Sequence, residues 1–242
     1  MSSDFQYSDI SKMIDHSLLN PTLTSSDLEA GIALALAYDT ASVCIMPYAV
    51  RRCAELLEGS TVLPSTTIGF PHGGHTSAVK VAEAQQALAD GCRELDMVVN
   101  LSKVLSGDWR YVQDDIRGVI DVAHTAGQKV KVIFENCYLQ DDHKKRLCEI
   151  CGELRADWVK TSTGYGTGGA TLQDLELMRR YSPEHVQVKA AGGVRDLATL
   201  LQVRQLGVSR VGASRTQEML EECRSALGLP RLEVAASGPA GY

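Results

Sequence analysis

The sequence predicts a single (β/α)8 TIM barrel, on three observations. Eight short segments rich in β-branched residues recur about 24 to 35 residues apart, amphipathic helical patterns fill the intervals, and no low-complexity linker divides the 242 residues. Such alternation gives βαβ units with right-handed crossovers and a parallel sheet buried on both faces. An open doubly wound sheet has the same periodicity. Eight units in this length favour closure, since single-domain barrels run to about 250 residues.

The expected strands are Lys12–His16, Ser42–Met46, Thr66–Phe70, Glu94–Val99, Lys129–Glu135, Asp157–Thr161, Val186–Ala190 and Ser209–Ala213. After the first, Ser26-Asp27-Leu28-Glu29 reads as a capping box ahead of Ile32, Leu34, Leu36 and Ala37. Val112, Ile116, Val119, Ile120 and Ala123 form an apolar stripe at helical spacing, as Leu197, Leu200 and Leu201 do later. Gly91, Gly127 and Gly207 each close a helical stretch. The barrel is expected to occupy residues 1–227. Residues 228–242, ending in Ala-Ala-Ser-Gly-Pro-Ala-Gly-Tyr, read as a flexible tail.

Twenty-four basic residues against 30 acidic ones leave a net charge of −6 and a pI near 5.5, with no long basic run, so neither nucleic acid nor an anionic membrane is the expected partner. The first residues lack a cationic stretch followed by an apolar one, and no segment approaches ~20 apolar residues; a cytoplasmic location is expected. The seven cysteines are odd in number and scattered, which favours reduced thiols. Cys148 and Cys151 make a CxxC, but it lies in a helical pattern with Leu147, Ile150 and Leu154 and lacks the further ligands of a zinc site.

Parallel α/β proteins gather their active sites at the carboxyl ends of the strands. There the first strand carries Asp15-His16, the second Cys44, the fourth Asp96, the sixth Lys160 and the seventh Lys189. By the period-two rule Asp96 points opposite to Leu95 and Met97, and Lys160 opposite to Val159, into the barrel. One interior lysine is readily explained by pairing with Asp96 or Asp15. Two on neighbouring strands each lower the other's proton affinity: at ~4 Å and an effective dielectric of ~20 the repulsion is about 4 kcal/mol, or about 3 pKa units. A neutral lysine amine attacks carbonyls to form a Schiff base, and Asp96 is the nearest acid/base by strand order. Cys44 has apolar neighbours and reads as a packing residue close to the substrate.

The glycines indicate an anion. Thr163 and Gly164 follow the sixth strand, Gly192, Gly193 and Val194 the seventh, and Gly212 and Ser214 end the eighth. Exposed amides there, backed by hydroxyls and helix starts, make a phosphate nest of the kind barrels place after strands seven and eight.

At these residues the chain resembles the deoxyribose-phosphate aldolases. The resemblance runs along nearly the whole barrel, through Ile14-Asp15-His16-Ser17-Leu18-Leu19, Glu94-Leu95-Asp96-Met97-Val98-Val99-Asn100, Val159-Lys160-Thr161-Ser162-Thr163-Gly164, Val188-Lys189-Ala190-Ala191-Gly192-Gly193-Val194-Arg195 and Arg210-Val211-Gly212-Ala213-Ser214. It implies a class I aldolase without metal or other cofactor that reversibly splits 2-deoxy-D-ribose 5-phosphate into acetaldehyde and D-glyceraldehyde 3-phosphate. Lys160 is then the Schiff-base residue, Lys189 the lysine that tunes it and transfers protons, and Asp96 the proton donor and acceptor; Asp15, Cys44 and the glycine loops bind substrate. Tyr165 stands where some members carry a phosphate-binding lysine, which makes Arg215 the expected replacement cation. Tyr242 corresponds to a terminal tyrosine that in some members aids proton transfer. The expected partners are a phosphorylated aldose and small aldehydes, and the expected assembly is a homodimer.

Two rivals remain. A metal-dependent lyase would use His16, His72 and His75 as ligands. A noncatalytic sugar-phosphate sensor would need the glycine nests but not two interior lysines beside Asp96.

Overall fold

The computed structural model describes residues 5–234. Eight parallel strands close in sequence order into a barrel: β1 (Ile14–Leu18), β2 (Ser42–Ile45), β3 (Leu63–Ile68), β4 (Glu94–Val98), β5 (Lys129–Ile133), β6 (Trp158–Lys160), β7 (Gln187–Ala191) and β8 (Val208–Ala213), with β8 pairing back to β1. Around them run α1 (Tyr7–Ser11), α2 (Ser25–Ala37), α3 (Val50–Leu56), α4 (Ser77–Ala89), α5 (Leu101–Leu105), α6 (Trp109–Thr125), α7 (Asp141–Glu153), α8 (Leu172–Tyr181), α9 (Leu197–Gln205) and α10 (Thr216–Ala226). No helix among the described residues is long and apolar enough to cross a membrane.

Strands β2, β4 and β6 are buried along their whole length, as a parallel sheet covered by helices requires. Leu95, Met97, Val130 and Val132 belong to the apolar core that the helices cover, while the alternate positions Asp96 and Lys131 meet inside the barrel. The α6 stripe of Val112, Ile116, Val119, Ile120 and Ala123 is buried as its spacing predicts. Gly91, Gly127 and Gly207 follow the ends of α4, α6 and α9 with φ of +99°, +69° and +85°, a region that glycine enters without a steric penalty. Cys148 and Cys151 are buried in α7 as free thiols.

Several boundaries differ from the sequence expectation. The first strand begins at Ile14 because Lys12 caps α1 and spends its amine on Asp39 (2.5 Å) and Thr61 (2.8 Å); it runs on to Leu18 because Ser17 and Leu18 pair with Cys44 and Ile45. Asp15 and His16 therefore sit in mid-strand rather than at its end. The third strand starts three residues early, at Leu63, and stops at Ile68. Pro64 near its start still offers a carbonyl, which accepts from the Arg93 amide at 2.8 Å, so its missing N–H does not prevent pairing. The α2 cap is Thr24 with Asp27, not Ser26 with Glu29. Thr24 is extended (φ −76°, ψ 167°), and its amide donates to Asp27 Oδ2 at 2.9 Å.

Past α10, the Arg224 guanidinium donates to the Pro230 carbonyl and the Leu232 amide donates to Glu221. These bonds fold residues up to 232 back against α10.

Candidate active site

The barrel interior is an ion-paired lattice. Among the described residues, Lys131, Lys160, Lys189 and Arg210 face Asp15, Glu94 and Asp96. Each comes from an inward-facing strand position, and period-two alternation delivers them all to one space. Asp96 is central: its Oδ1 accepts from Lys131 at 2.9 Å, and its Oδ2 accepts from both Lys160 (2.7 Å) and Lys189 (2.8 Å). Asp15 accepts from Lys189 (2.5 Å), Arg210 (2.5 Å) and the Ser42 hydroxyl (2.7 Å). Arg210 makes a two-pronged contact with Glu94 at 2.8 and 3.0 Å.

These contacts split the two lysines. Burial pushes the Lys160 amine below the ordinary lysine value; Asp96 opposes that and Lys189 reinforces it, and the net shift is down. Burial acts on Lys189 in the same sense, but Asp15 and Asp96 outweigh it and raise the amine above the ordinary value. Lys131 is driven up further against burial by Asp15, Asp96 and Glu94. Burial alone would favour a protonated Asp96, yet Lys131, Lys160 and Lys189 hold its carboxyl far below the carboxylate range. Desolvation thus takes first place in lowering Lys160, ahead of the lysine–lysine repulsion that the sequence pointed to. Four cations face three carboxylates. The charges balance when one amine is neutral, and Lys160 is the one whose environment favours that state.

Lys160 and Lys189 open onto a cavity of about 290 Å³ at the carboxyl end of the strands, near the lower limit of ligand pockets (~300–1,000 Å³). Asp15, Cys44, Thr163, Gly164, Gly192, Gly193, Val194, Gly212, Ser214 and Arg215 all line it. Asp96 is fully buried beneath the two lysines. Burial raises the Cys44 thiol, with Asp96 adding to the effect, so the sulfur lines the pocket as a neutral group. Tyr242 lies outside the described residues.

The glycine loops are held to one another closely. A Cβ on Gly169 would stand 2.6 Å from the Gly192 backbone, and the Ala170 amide donates to the carbonyls of Ala191 (3.1 Å) and Gly192 (2.9 Å). The helices after β6 and β7 are capped by the side chains of Thr171 and Asp196, whereas α10, whose N-cap is Arg215, has no side-chain cap. Arg215 is half exposed and contacts Glu218 at 3.4 Å. Arg195 lines the same rim.

His16 does not face the cavity. It lies on the opposite side of β1, buried, with Nδ1 2.8 Å from the Thr216 hydroxyl, and burial lowers its pKa to about 4. His72 and His75 are exposed on the turn after β3. Among the described residues no three His, Cys, Asp or Glu side chains stand close enough to hold a metal, so the three-histidine ligand set is not assembled.

Sequence reasoning passed over Lys131, Glu94, Arg210 and Glu135. Lys131 and Glu94 carried the same period-two signal as Asp96. Glu135 takes a left-handed backbone (φ +57°) just past β5, and its carboxylate accepts from the Thr163 amide at 3.1 Å and from the Thr163 hydroxyl, fixing the loop after β6.

A parallel barrel with a buried lysine at its carboxyl end, its proton affinity lowered by burial, suits carbonyl chemistry. The chain belongs to the DeoC/LacD family of aldolases, whose model matches residues 10–215. A deoxyribose-phosphate aldolase of Rhodopirellula baltica is 69% identical over 240 residues, 99% of this chain and 100% of that protein. One from Thermococcus gammatolerans is 44% identical across 90% of this chain and 98% of its own. The tetrameric deoxyribose phosphate aldolase of Aeropyrum pernix superimposes with a TM-score of 0.83 at 29% identity, covering 91% of this chain and 93% of that one.

Replacing Lys131 by Met leaves Asp96 and Glu94 short of a buried partner. It is expected to cost about 3 to 5 kcal/mol of stability in denaturant unfolding, and to raise the pH at which Lys160 loses its proton. A loss below ~1 kcal/mol with no change in that titration contradicts the lattice.

Proposed function

We propose that this chain is a class I aldolase that reversibly cleaves 2-deoxy-D-ribose 5-phosphate into acetaldehyde and D-glyceraldehyde 3-phosphate. The observation that carries the reading is the opposite treatment of two lysines on one carboxylate oxygen: Lys160 is lowered and Lys189 raised, at the floor of a glycine-rimmed cavity.

In this mechanism the neutral Lys160 amine attacks C1 of the open-chain sugar to give a carbinolamine. Protonated Lys189 supplies the proton with which the C1 hydroxyl leaves as water, and an iminium forms. Removal of the C3 hydroxyl proton, through the Asp96–Lys189 pair, lets the C2–C3 bond break. Its electrons move into the iminium, giving an enamine on Lys160 and free glyceraldehyde 3-phosphate. Protonation at C2 and hydrolysis then release acetaldehyde and the amine. Asp96, ionised at rest, takes up each proton transiently and passes it between the lysines, and Tyr242 assists the proton transfer to C2. The phosphate lies against the uncapped start of α10, Ser214 and the Gly192-Gly193 turn, with Arg215 as its cation. Asp15 keeps Lys189 charged and in place.

The seven unpaired thiols fit a reducing compartment, and we place the enzyme in the cytoplasm, acting on free sugar phosphate. We also propose a homo-oligomer, with the tetrameric A. pernix relative as precedent for self-assembly.

Incubation with acetaldehyde and borohydride followed by peptide mass spectrometry is expected to give a reduced two-carbon adduct on Lys160 that persists in chelator. It should vanish in Lys160→Met and slow by about a hundredfold or more in Lys189→Met, as for removal of a proton-transfer group. Turnover that is abolished by chelator, or an adduct on another lysine, contradicts the mechanism.

A further inference from the structure

Trp158 opens β6 two residues before Lys160, and period-two alternation turns both side chains into the barrel. The register of β6 sets Trp158 beside Lys131 of β5 and Gln187 of β7. At this level the barrel changes from wet to dry. Lys129 and Gln187, the first residues of β5 and β7, are exposed, whereas Trp158 is 3% exposed and Lys131 and Lys189 are buried. The indole N–H donates to the Ser209 hydroxyl at 3.0 Å, which ties β6 to β8 across the start of β7.

Among the described residues, three cations flank the ring. The Arg210 guanidinium carbon lies 5.0 Å from its centroid, the Lys129 amine 5.3 Å and the Lys131 amine 5.5 Å. Lys131 and Arg210 belong to the lattice around Asp15, Glu94 and Asp96. Lys129 belongs instead to an open cleft of about 770 Å³ at the amino ends of β3, β4 and β5, whose wall also includes Pro64, Arg93, Glu94, Gly127 and Gln128. The ring thus stands between that cleft and the lattice. Arg210, the lattice side chain that solvent reaches most at 12% exposed, lies against it. An aliphatic side chain here would strip water from these cations with nothing in return, whereas an aromatic face attracts each by about 0.5 to 2 kcal/mol.

We propose that Trp158 is the plug of the barrel's amino end, a positioning residue that keeps the water of that cleft away from the lattice and so keeps Lys160 reactive toward aldehydes. It touches no reacting atom and acts through the dry surroundings of Lys160. That amine faces Asp96, Lys189 and Cys44, and burial is the largest influence on it, in the direction that removes its proton. Water admitted past residue 158 weakens the effect of burial, while Asp96, which opposes it, keeps its direct contact at 2.7 Å. The proton is then held to higher pH, and less of the amine is neutral at a given pH. The role of Lys160 rests on the Schiff-base reading; the seal is a property of the barrel.

The test uses the full chain and the variants Trp158→Leu, which loses the aromatic face and part of the volume, and Trp158→Phe, which keeps a face. The first readout is the pH midpoint at which the Lys160 amine loses its proton, followed by NMR in lysine-labelled protein, and it needs no Schiff base. The midpoint should rise by about one unit in Trp158→Leu and by less in Trp158→Phe. The second is the rate at which borohydride traps acetaldehyde on Lys160. At a pH below both midpoints it should fall about tenfold in Trp158→Leu, and it should return toward the wild-type rate above them. A merely structural role lowers trapping at every pH and leaves the midpoint in place; an unmoved midpoint, with or without slower trapping, overturns the proposal. If Trp158→Leu does not fold, Trp158→Phe decides, a midpoint above that of the wild type supporting the plug and an unchanged one overturning it. If the wild-type chain forms no adduct on Lys160, the Schiff-base reading is what fails, and the midpoint alone then decides the plug in the same way.

Discussion

Asp96 carries Lys160 and Lys189 on one carboxylate oxygen and Lys131 on the other, wholly out of contact with solvent. An arrangement so costly in desolvation persists only if every member is compensated. That requirement reaches through the barrel. Lys189 needs Asp15, Asp15 needs Arg210 and Ser42, and Arg210 needs Glu94, so strands β1, β2, β4, β5, β6, β7 and β8 are tied to a common electrostatic centre. With one cation in excess, the lattice makes a neutral amine affordable at a single position. Lys160 has the fewest carboxylate contacts and is the one that burial tips downward.

The loops above this centre act on geometry more than on charge. Glu135 in its left-handed conformation holds Thr163, the close approach of Gly169 to Gly192 brings the loops after β6 and β7 together, and the Tyr165 hydroxyl donates to the Leu19 carbonyl just past β1. His16 contributes from outside the barrel wall, where its bond to Thr216 fixes the start of α10. Net charge −6 for the whole chain is compatible with an anionic ligand because the mouth itself carries Arg195 and Arg215.

Much of this was legible in the sequence. Periodicity located the eight strands and the α6 stripe, because a sheet buried on both faces and a helix buried on one leave unambiguous patterns. Asp96, Lys160 and Lys189 stood out as charges in apolar strands. Lys131 and Glu94 bear the same mark but lie away from the carboxyl ends of their strands, and a residue that serves a lattice gives no local motif. The split between the two lysines was illegible too, since it depends on Asp15 lying beside Lys189, a pairing set by closure of β8 onto β1. The extension of β1 to Leu18 and the start of β3 at Leu63 followed from pairing partners, and partners are tertiary information.

The central claim is that one amine in this lattice is proton-poor while its neighbours are not. Titration of side-chain amines by NMR in protein carrying isotope-labelled lysine, with Lys160 assigned from the spectrum of Lys160→Met, reads it directly. The account predicts that Lys160 loses its proton below the ordinary lysine value of 10.5 while Lys189 and Lys131 hold theirs above it. A Lys160 that titrates at or above that value, or a Lys189 that titrates before it, would contradict the account.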